Sequence, residues 1–338
     1  MSRIYMYPKN DYATLESPNP YVLHMEDSLS EKHTIINKDP NTKGVIELFF
    51  YLFRTDIFFF NWIEDVAVKR YGKIQAILFQ FFLILAKLLR KKIIWVLHNK
   101  YSHEKSNKRW TKFGFELMIR NSDLILTHSN AGVEFIKDRF PRHSDKVKYI
   151  VHPVENMITV DRNAVKKYDI LIWGTIHPYK GVIDFLRFAG NSRDYDNIKI
   201  MISGICPDYK EHEELIGLLN DQIHHINEFQ DIDKVAELAC QSRFVLFTYN
   251  SESILSSGSL MDSIRMGSVV IGPDKGAFRD LRDCSFIKTF ITFDDIAAIV
   301  KNTDYDPDAC LKDIEDFCQH NTWDLFGEKL FSVSGGIL

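Results

Sequence analysis

Short apolar runs alternate with helix-like stretches along the whole chain, and this alternation limits the fold more than any other feature. It is typical of parallel β-sheets whose two faces are covered by helices. In the first half, the pattern predicts the strands Ile4–Tyr7, Ile57–Asn61, Ile93–His98, Leu124–Thr127 and Lys148–Val151. The helices predicted between them include Tyr21–Leu29, Ile74–Leu89 and Ala131–Arg139.

The same alternation starts again after a polar segment, Glu155–Lys167, which has the composition of a linker. The strands predicted there are Asp169–Gly174, Ile198–Gly204, Ile223–Ile226, Phe244–Tyr249 and Val269–Gly272. The helices predicted there are Val182–Ala189, His212–Leu219, Lys234–Gln241 and Leu260–Met266. A chain of 338 residues has room for two domains, which we place at residues 1–157 and 158–338, with a last helix that could return to the first. Two doubly wound sheets in tandem leave a cleft at the carboxyl ends of their strands, where such folds bind ligands.

The composition narrows the class of function. Nucleic-acid binding needs a strongly basic surface, which a net charge of −4 does not indicate. The cysteines are odd in number and widely spaced without a CxxC pair, which is typical of free thiols in a reducing compartment. The N-terminus lacks the basic and apolar pattern of a signal peptide. We therefore expect a cytoplasmic protein that binds no nucleic acid.

One helix-like segment, Ile74–Ala86, is apolar except for two glutamines and is flanked on both sides by lysines and arginines. It is too short to span a bilayer, which takes about 20 residues. One interpretation is a helix buried against the first sheet, with Phe79, Phe82 and Leu83 packed inward. The other adds a peripheral contact, in which the basic flanks rest the helix on the anionic inner face of the cell membrane.

A first candidate site is the segment Trp173–Gly181 (WGTIHPYKG), between a predicted strand and a predicted helix. Gly174 ends the strand, and Lys180 comes just before the start of the helix. A cation beside helix-terminal N–H groups is suited to a diphosphate, although an ordinary loop with a solvated lysine would show the same residues. No predicted strand is followed by GxxxxGK[ST] or GxGxxG, which disfavours kinases, P-loop NTPases and NAD-dependent dehydrogenases.

A second candidate site is the segment Thr248–Asp262, which runs from a strand into a helix. Ser257, Gly258 and Ser259 are small, so backbone amides at the helix start could approach a phosphate and two hydroxyls could bind it. Asp262 lies about one turn inside the helix, where its carboxylate could hold a ribose. Simple N-capping would explain the serines but not Gly258.

A third candidate site, the segment His98–Glu104 (HNKYSHE), follows the strand that starts at Ile93. Polar groups at the carboxyl end of a parallel strand are placed to face a ligand. His98 and His103 have no third ligand nearby with metal spacing, so we expect no zinc site. The acidic pair Asp294-Asp295 is interpreted as a helix cap.

Taken in order, these segments resemble GT-B glycosyltransferases of bacterial exopolysaccharide and capsule assembly. The resemblance is to the lipid-linked oligosaccharide mannosyltransferases and to the large retaining GT-B family. The matching segments are Asn19–Tyr21, Phe60–Glu64, Trp95–Glu104, Asp123–Ser129, Gly174–Gly181, and Tyr249 with Ser257-Gly258. The resemblance implies an α/β GT-B fold, in which two Rossmann-like doubly wound domains face each other across a cleft. It also implies a hexosyltransferase that uses a nucleotide-diphosphate sugar in surface polysaccharide synthesis.

The resemblance assigns roles to the matching residues. Donor-binding residues would be Gly174, Thr175, His177, Lys180, Tyr249, Ser257, Gly258, Ser259, Leu260 and Asp262. Acceptor-binding residues would be Asn19, Tyr21, Asn99, His103 and Glu104, and the catalytic residues would be His98 and Lys180. The donor would be a GDP- or UDP-linked sugar, the acceptor a lipid-linked glycan or oligosaccharide, and neither a metal nor another cofactor would be needed.

The chain departs from the family pattern at several positions, including Asn61 in the segment Phe60–Glu64, and Thr175 or His177 where the family often has an arginine. Ile254 stands where the retaining family has the first glutamate of its E-x7-E motif. An alternative is therefore a catalytically impaired GT-B subunit that recruits a partner transferase. A GT-B sugar-nucleotide epimerase is a further alternative.

Overall fold

The computed structural model describes residues 1–9, 20–37, 43–68, 71–100, 108–161, 164–251, 253, 255–302 and 306–338. Their contacts divide the chain into two compact units. The N-terminal unit consists of Met1–His152, Ser253–Ser256 and Trp323–Leu338. The C-terminal unit consists of Pro153–Glu252 and Ser257–Thr322.

The N-terminal unit is built on a six-stranded sheet in which every neighbouring pair is parallel. Its strands are β1 (Arg3–Tyr7), β2 (Thr34–Ile35), β3 (Ile57–Phe60), β4 (Lys92–Leu97), β5 (Leu124–Thr127) and β6 (Val147–Tyr149). The strand order is β2-β1-β3-β4-β5-β6. The order changes direction between β1 and β3, and doubly wound sheets bind ligands at such a switch point.

Helices cover both faces of this sheet. They are α1 (Tyr21–Ser30), α2 (Ile46–Tyr51), α3 (Gly72–Leu88), α4 (Lys108–Asn121), α5 (Asn130–Arg139) and α13 (Trp323–Val333), with 3-10 turns at Ile63–Val68 and Pro141–Lys146. Successive β3 side chains alternate between two apolar cores: Phe58 and Phe60 join α3, while Phe59 joins α1 and α13. Burial on both faces explains why these strands are continuous apolar runs. Within the described residues, we find no helix with the length and apolarity needed to cross a bilayer.

The C-terminal unit contains a second sheet of six parallel strands. Its strands are β7 (Tyr168–Trp173), β8 (Ile200–Ser203), β9 (Ile223–Ile226), β10 (Ser242–Leu246), β11 (Val270–Pro273) and β12 (Ile287–Phe290). Its helices are α6 (Val182–Gly190), α7 (Tyr209–Gly217), α8 (Ile232–Cys240), α9 (Gly258–Arg265), α10 (Gly276–Asp280), α11 (Phe293–Asn302) and α12 (Pro307–His320). Short 3-10 turns lie at Pro178–Lys180 and Arg193–Tyr195. The order β12-β11-β10-β7-β8-β9 is the Rossmann order, whose switch point lies between the first and fourth strands of the unit, β7 and β10.

Each strand and helix predicted from the sequence is present, with ends that differ by a few residues. The predicted helix His212–Leu219 begins earlier, at Tyr209, because the Asp208 carboxylate caps it by accepting from Lys210 N and Glu211 N, both at 3.0 Å. The elements β2, α2, α4, α10, β12 and α12 were not predicted from the sequence. Asp295 accepts from the backbone N–H groups of Ile291 and Thr292 at the start of α11, so the interpretation of the acidic pair as a cap is confirmed for Asp295.

Candidate functional site

The switch point of the C-terminal sheet brings the first two candidate segments together. Gly174 follows β7 directly, Thr248 follows β10 closely, and Ser257 stands at the start of α9. Because β7 and β10 are adjacent parallel strands, their carboxyl ends lie side by side. We call the segments Gly174–Gly181, Thr248–Asn250 and Ser257–Ser259 the switch-point loops.

Two glycines let the loop after β7 take its path. Gly174 has φ +89° and Gly181 has φ +68°, which are conformations that favour glycine. A Cβ on Gly181 would lie 2.5 Å from the carbonyl oxygen of Thr248, so the two loops touch at this point. The contact is reinforced by the Thr248 hydroxyl, which donates to the carbonyl of Lys180 at 2.6 Å. The backbone around Lys180 is therefore held by β10 as well as by β7.

Lys180 is partly buried, and its side chain turns back over the loop. A Cβ on Gly174 would lie 3.1 Å from Lys180 Nζ, so the ammonium group sits over the first residue after β7. Burial lowers the pKa of Lys180 to about 8, because a charged ammonium loses hydration there. Burial and the charge of Lys180 also lower the pKa of His177. Thr175 is partly buried beside them.

The start of α9 offers backbone donors. The Ser257 side chain is the N-cap of the helix: it accepts from Leu260 N at 3.3 Å and lies 3.1 Å from the Tyr249 hydroxyl. Leu260 itself is fully buried in the core. In the part of the chain that the structure describes, the amides of Gly258 and Ser259 have no protein acceptor. Open space surrounds the position of a Cβ on Gly258, so a ligand can approach these two N–H groups.

Asp262 is partly buried and makes contacts within the C-terminal unit. Its Oδ1 accepts from Arg265 Nε at 2.8 Å, and Arg265 also lies 3.4 Å from Glu155 Oε2. The predicted ribose-binding carboxylate is thus held in place by an arginine one turn further along α9.

The N-terminal unit gathers histidines and aromatic rings at the carboxyl ends of β3 to β6. Asn61 and Trp62 follow β3, His98 follows β4, His128 follows β5 and His152 follows β6. Tyr21 and Trp323 complete the group, with ring centroids 5.3 Å apart. We call these seven residues the histidine cluster.

His98 is held by the two residues after β3. The Trp62 ring stacks on the His98 ring, with ring centroids 4.4 Å apart and an angle of 13° between the ring planes. The backbone of Trp62 has φ 42°, a left-handed conformation that is strained for tryptophan. His98 Nε2 donates to Asn61 Oδ1 at 3.0 Å. Burial, and then the neighbouring His152, lower the pKa of His98 to about 3, so its ring is neutral at working pH. Asn61 Nδ2 is buried and has no hydrogen-bond partner among the described residues.

Tyr21 and His128 form a second hydrogen-bonded chain in the cluster. His128 Nδ1 lies 2.8 Å from the carbonyl of Ile150, which can only accept, so Nδ1 carries a proton. Burial and the neighbouring histidines lower the pKa of His128 well below its usual range, and the ring is neutral. Its Nε2 must therefore accept from the Tyr21 hydroxyl, at 2.6 Å. Tyr21 is buried and hydrogen-bonded inside the unit.

The remaining predicted residues are placed as follows. Asn99 is partly exposed directly after His98. Asn19, His103 and Glu104 lie outside the described residues. The described part of the chain contains no group of three or more histidine, cysteine or acidic side chains arranged to hold a metal ion.

Several members of the histidine cluster were not predicted as site residues from the sequence. Asn61, Trp62, His128 and His152 each follow a parallel strand closely, and that position could have identified them. Trp323 gives no such signal, because its ring partners Tyr21 and His152 are far away in the sequence.

No family model and no curated protein matches the sequence. Solved structures match its fold over nearly its whole length. HepE from Anabaena, in complex with UDP and glucose, aligns with a TM-score of 0.67 and 12% identity over 98% of this chain and 99% of HepE. A glycosyltransferase from Rickettsia africae aligns with a TM-score of 0.61 and 12% identity over 99% of this chain and 98% of its own. AviGT4, a glycosyltransferase involved in avilamycin A biosynthesis, aligns with a TM-score of 0.56 and 12% identity over 99% of this chain and 97% of AviGT4.

The similarity to these structures concerns the fold. Together with the two parallel sheets, it confirms the predicted class: α/β, with two Rossmann-like doubly wound domains of the GT-B type.

Proposed function

We propose that the protein is a GT-B glycosyltransferase that moves a sugar from a nucleotide diphosphate to an acceptor. The observation that carries the proposal is the position of Lys180 and of the free amides of Gly258 and Ser259. All three lie in the switch-point loops, at the edge of the sheet where Rossmann-like domains bind nucleotides. The solved structures with this fold include glycosyltransferases, and one of them holds UDP.

The chemistry of transfer explains why these groups are needed. The bond between the anomeric carbon and the diphosphate oxygen breaks, the acceptor hydroxyl oxygen forms a new bond to that carbon, and the hydroxyl proton passes to the leaving diphosphate or to water. Negative charge accumulates on the leaving diphosphate. A lysine ammonium and two helix-terminal N–H groups stabilise such charge through charge-assisted hydrogen bonds.

These groups would take the place of a metal ion, so we expect activity to persist in EDTA. The control is the same assay with Mn²⁺ or Mg²⁺ added after EDTA. Activity that disappears with the chelator and returns with the metal would contradict this part of the proposal.

For the substrates, we propose a UDP- or GDP-linked hexose as donor and a lipid-linked glycan of surface polysaccharide synthesis as acceptor. UDP is the first nucleotide to test, because HepE was solved with it. The neutral His98 would act as a hydrogen-bonding group near the transferred sugar, since its pKa of about 3 excludes a charged ring. The reaction would take place at the inner face of the cell membrane, with peripheral contact between the protein and anionic lipid.

A catalytically impaired subunit is the second candidate. Asp262 is already engaged by Arg265, and Ile254 replaces the family's glutamate. The two candidates differ in the slow hydrolysis of nucleotide sugars by the isolated protein: a transferase releases nucleoside diphosphate, whereas an impaired subunit binds the donor and leaves it intact.

Titration calorimetry with UDP and GDP tests the donor site. Lys180→Ala is expected to weaken binding by about 1.5–3 kcal/mol, the contribution of a hydrogen bond to a charged group. Lys210→Ala is the matched control, because Lys210 is an exposed lysine on α7 and does not belong to the switch-point loops. Equal affinities for the wild-type protein and a folded Lys180→Ala variant would rule out this assignment.

A further inference from the structure

The N-terminal unit has a concentration of exposed apolar side chains on α2, on α3 and on residues that flank these helices. Of the seventeen large hydrophobic residues that are exposed in the described chain, ten lie between Ile46 and Leu89. They are Ile46, Phe50, Phe53, Tyr71, Ile74, Ile77, Phe81, Ile84, Leu88 and Leu89. We call these ten residues the apolar face. Contiguous exposed apolar surface of this kind marks an interaction site.

Helix α3 is apolar on two opposite sides. As predicted, Phe79, Phe82 and Leu83 are buried against the first sheet. The exposed residues Ile74, Ile77, Phe81, Ile84 and Leu88 recur every three or four positions, so they form a single stripe along the other side. A helix that is hydrophobic all round is normally buried all round. Among the described residues nothing covers this stripe, so it needs another partner.

Helix α2 packs beside α3 and extends the exposed apolar surface. Phe49 stacks on Phe81 with ring centroids 6.2 Å apart, and it meets Phe82 edge-on at 5.6 Å. Val45 N donates to Gln75 Oε1 at 3.2 Å. The two helices thus hold each other in place and present one surface.

Among the described residues, exposed lysines and arginines flank the apolar face. Lys43, Arg54, Lys73 and Arg90 are exposed around it. Helix α3 has no acidic residue, and the one acid of α2, Glu47, is buried and accepts from the Tyr5 hydroxyl at 3.0 Å. Lys87, near the end of α3, is paired with Asp123, with 3.0 Å between Lys87 Nζ and Asp123 Oδ1.

These charges distinguish between two occupants. A second copy of the chain would form a two-fold interface, which places the same patch on both sides and brings the cations close to each other. An anionic lipid surface has the opposite charge at its headgroups and an apolar layer directly beneath them. The arrangement of a cationic margin around an apolar stripe fits the lipid surface.

We propose that the apolar face is a membrane-docking surface, whose hydrophobic side chains enter the headgroup boundary of an anionic bilayer. Lys43, Arg54, Lys73 and Arg90 contact the lipid phosphates around it. The proposal rests on the proposed function, whose peripheral lipid contact it assigns to this surface, and its purpose is to hold the enzyme where a lipid-linked acceptor lies. It differs from adsorption by lysines alone, because the apolar side chains supply most of the affinity.

Co-sedimentation of the full chain with vesicles of phosphatidylcholine, with and without phosphatidylglycerol, tests the proposal. The triple variant Ile74→Ser, Ile77→Ser and Leu88→Ser changes side chains that are 54–74% exposed. It is expected to lower partitioning onto anionic vesicles about tenfold or more, at low and at physiological salt. The matched control is Val165→Ser, Ile216→Ser and Ile291→Ser, three side chains of the C-terminal unit that are 53–84% exposed. The control is expected to bind like the wild-type protein.

Each alternative outcome is distinguishable. Binding that disappears with salt but is unchanged in the triple variant would overturn insertion in favour of simple electrostatic adsorption. A wild-type protein that ignores anionic vesicles, but dimerises in sedimentation velocity until the triple variant is introduced, would assign the face to self-association. If the triple variant fails to fold, Leu88→Gln alone must show a smaller loss in the same direction. Calorimetry with UDP, run in parallel, reports separately on the donor site.

Discussion

At the scale of single residues, Lys180 gives the candidate site a defined pH dependence. Its pKa of about 8 means that the ammonium of the free protein loses its proton as the pH rises through that value. A bound diphosphate favours the charged form. Nucleotide affinity is therefore expected to be high at pH 7.5 and to fall above pH 8, by at most about tenfold per pH unit. Calorimetry in buffers between pH 7.5 and 9.5 measures this.

Lys180→Arg is the control, because a guanidinium stays charged throughout this range. Its affinity for UDP is expected to be independent of pH, whatever its absolute value. A wild-type affinity that stays constant up to pH 9.5 would show that the lysine charge does not contact the diphosphate.

Tyr21 tests the hydrogen-bonded chain of the histidine cluster. Tyr21→Phe removes the hydroxyl that donates to His128 Nε2 and leaves a buried acceptor without a donor. We expect a loss of about 1–3 kcal/mol in the free energy of unfolding, measured by urea denaturation. Tyr209→Phe is the matched control: its hydroxyl bonds Glu213 on an exposed surface, so its removal changes stability little. Equal effects of the two substitutions would contradict a structural role for the Tyr21 hydroxyl.

A site residue can be predicted from the sequence when its contacts are made within a short stretch of the chain, and not when they come from distant parts of the sequence. Gly174 and Lys180 belong to one short loop, and the sequence analysis selected both. Their environment could not be predicted, because Thr248 follows a different strand, β10, and restricts the loop through its carbonyl oxygen and its hydroxyl. The low pKa of His98 is a similar case: it results from burial beside His152, which lies at the end of a different strand.

At the scale of secondary structure, apolar periodicity predicted the strands that are buried on both faces. Such strands are nearly continuous apolar runs, as β3 and β4 are. β2 has two residues and α2 has six, which is too short for a period to show. For α4, the buried residues Phe115, Met118 and Ile119 do have helical spacing, so the signal was present and was overlooked.

Helix α9 combines a structural and a functional role in its first turn. Ser257→Ala removes the N-cap and the contact with the Tyr249 hydroxyl. We expect a loss of about 0.5–2 kcal/mol in stability, typical of a lost cap, together with weaker UDP binding. Urea denaturation and calorimetry on the same variant measure the two effects.

Asp208→Ala is the matched control, since Asp208 caps α7 in the same unit and does not belong to the switch-point loops. It should lower stability by a similar amount and leave UDP affinity unchanged. If both variants bind UDP like the wild-type protein, the start of α9 is only a capped helix.

At the scale of the whole molecule, the chain leaves the N-terminal unit and returns to it. After α12, the segment Trp323–Leu338 belongs to the N-terminal unit again. There Phe326, Leu330 and Leu338 join the apolar core formed by α1 and the first sheet. The stability of the first Rossmann-like sheet therefore depends on the last residues of the sequence.

Two adjacent residues of α13 test this dependence. Leu330 is fully buried and Phe331 is 48% exposed. Leu330→Ala leaves a cavity in the N-terminal core and is expected to cost about 2–5 kcal/mol in the free energy of unfolding, whereas Phe331→Ala is expected to cost much less. Because Leu330 belongs to the N-terminal unit, UDP affinity of the folded Leu330→Ala protein should equal that of the wild type. Equal destabilisation by the two variants in urea would show that α13 does not share the N-terminal core, and a loss of UDP binding by the folded protein would show that the donor site depends on that core.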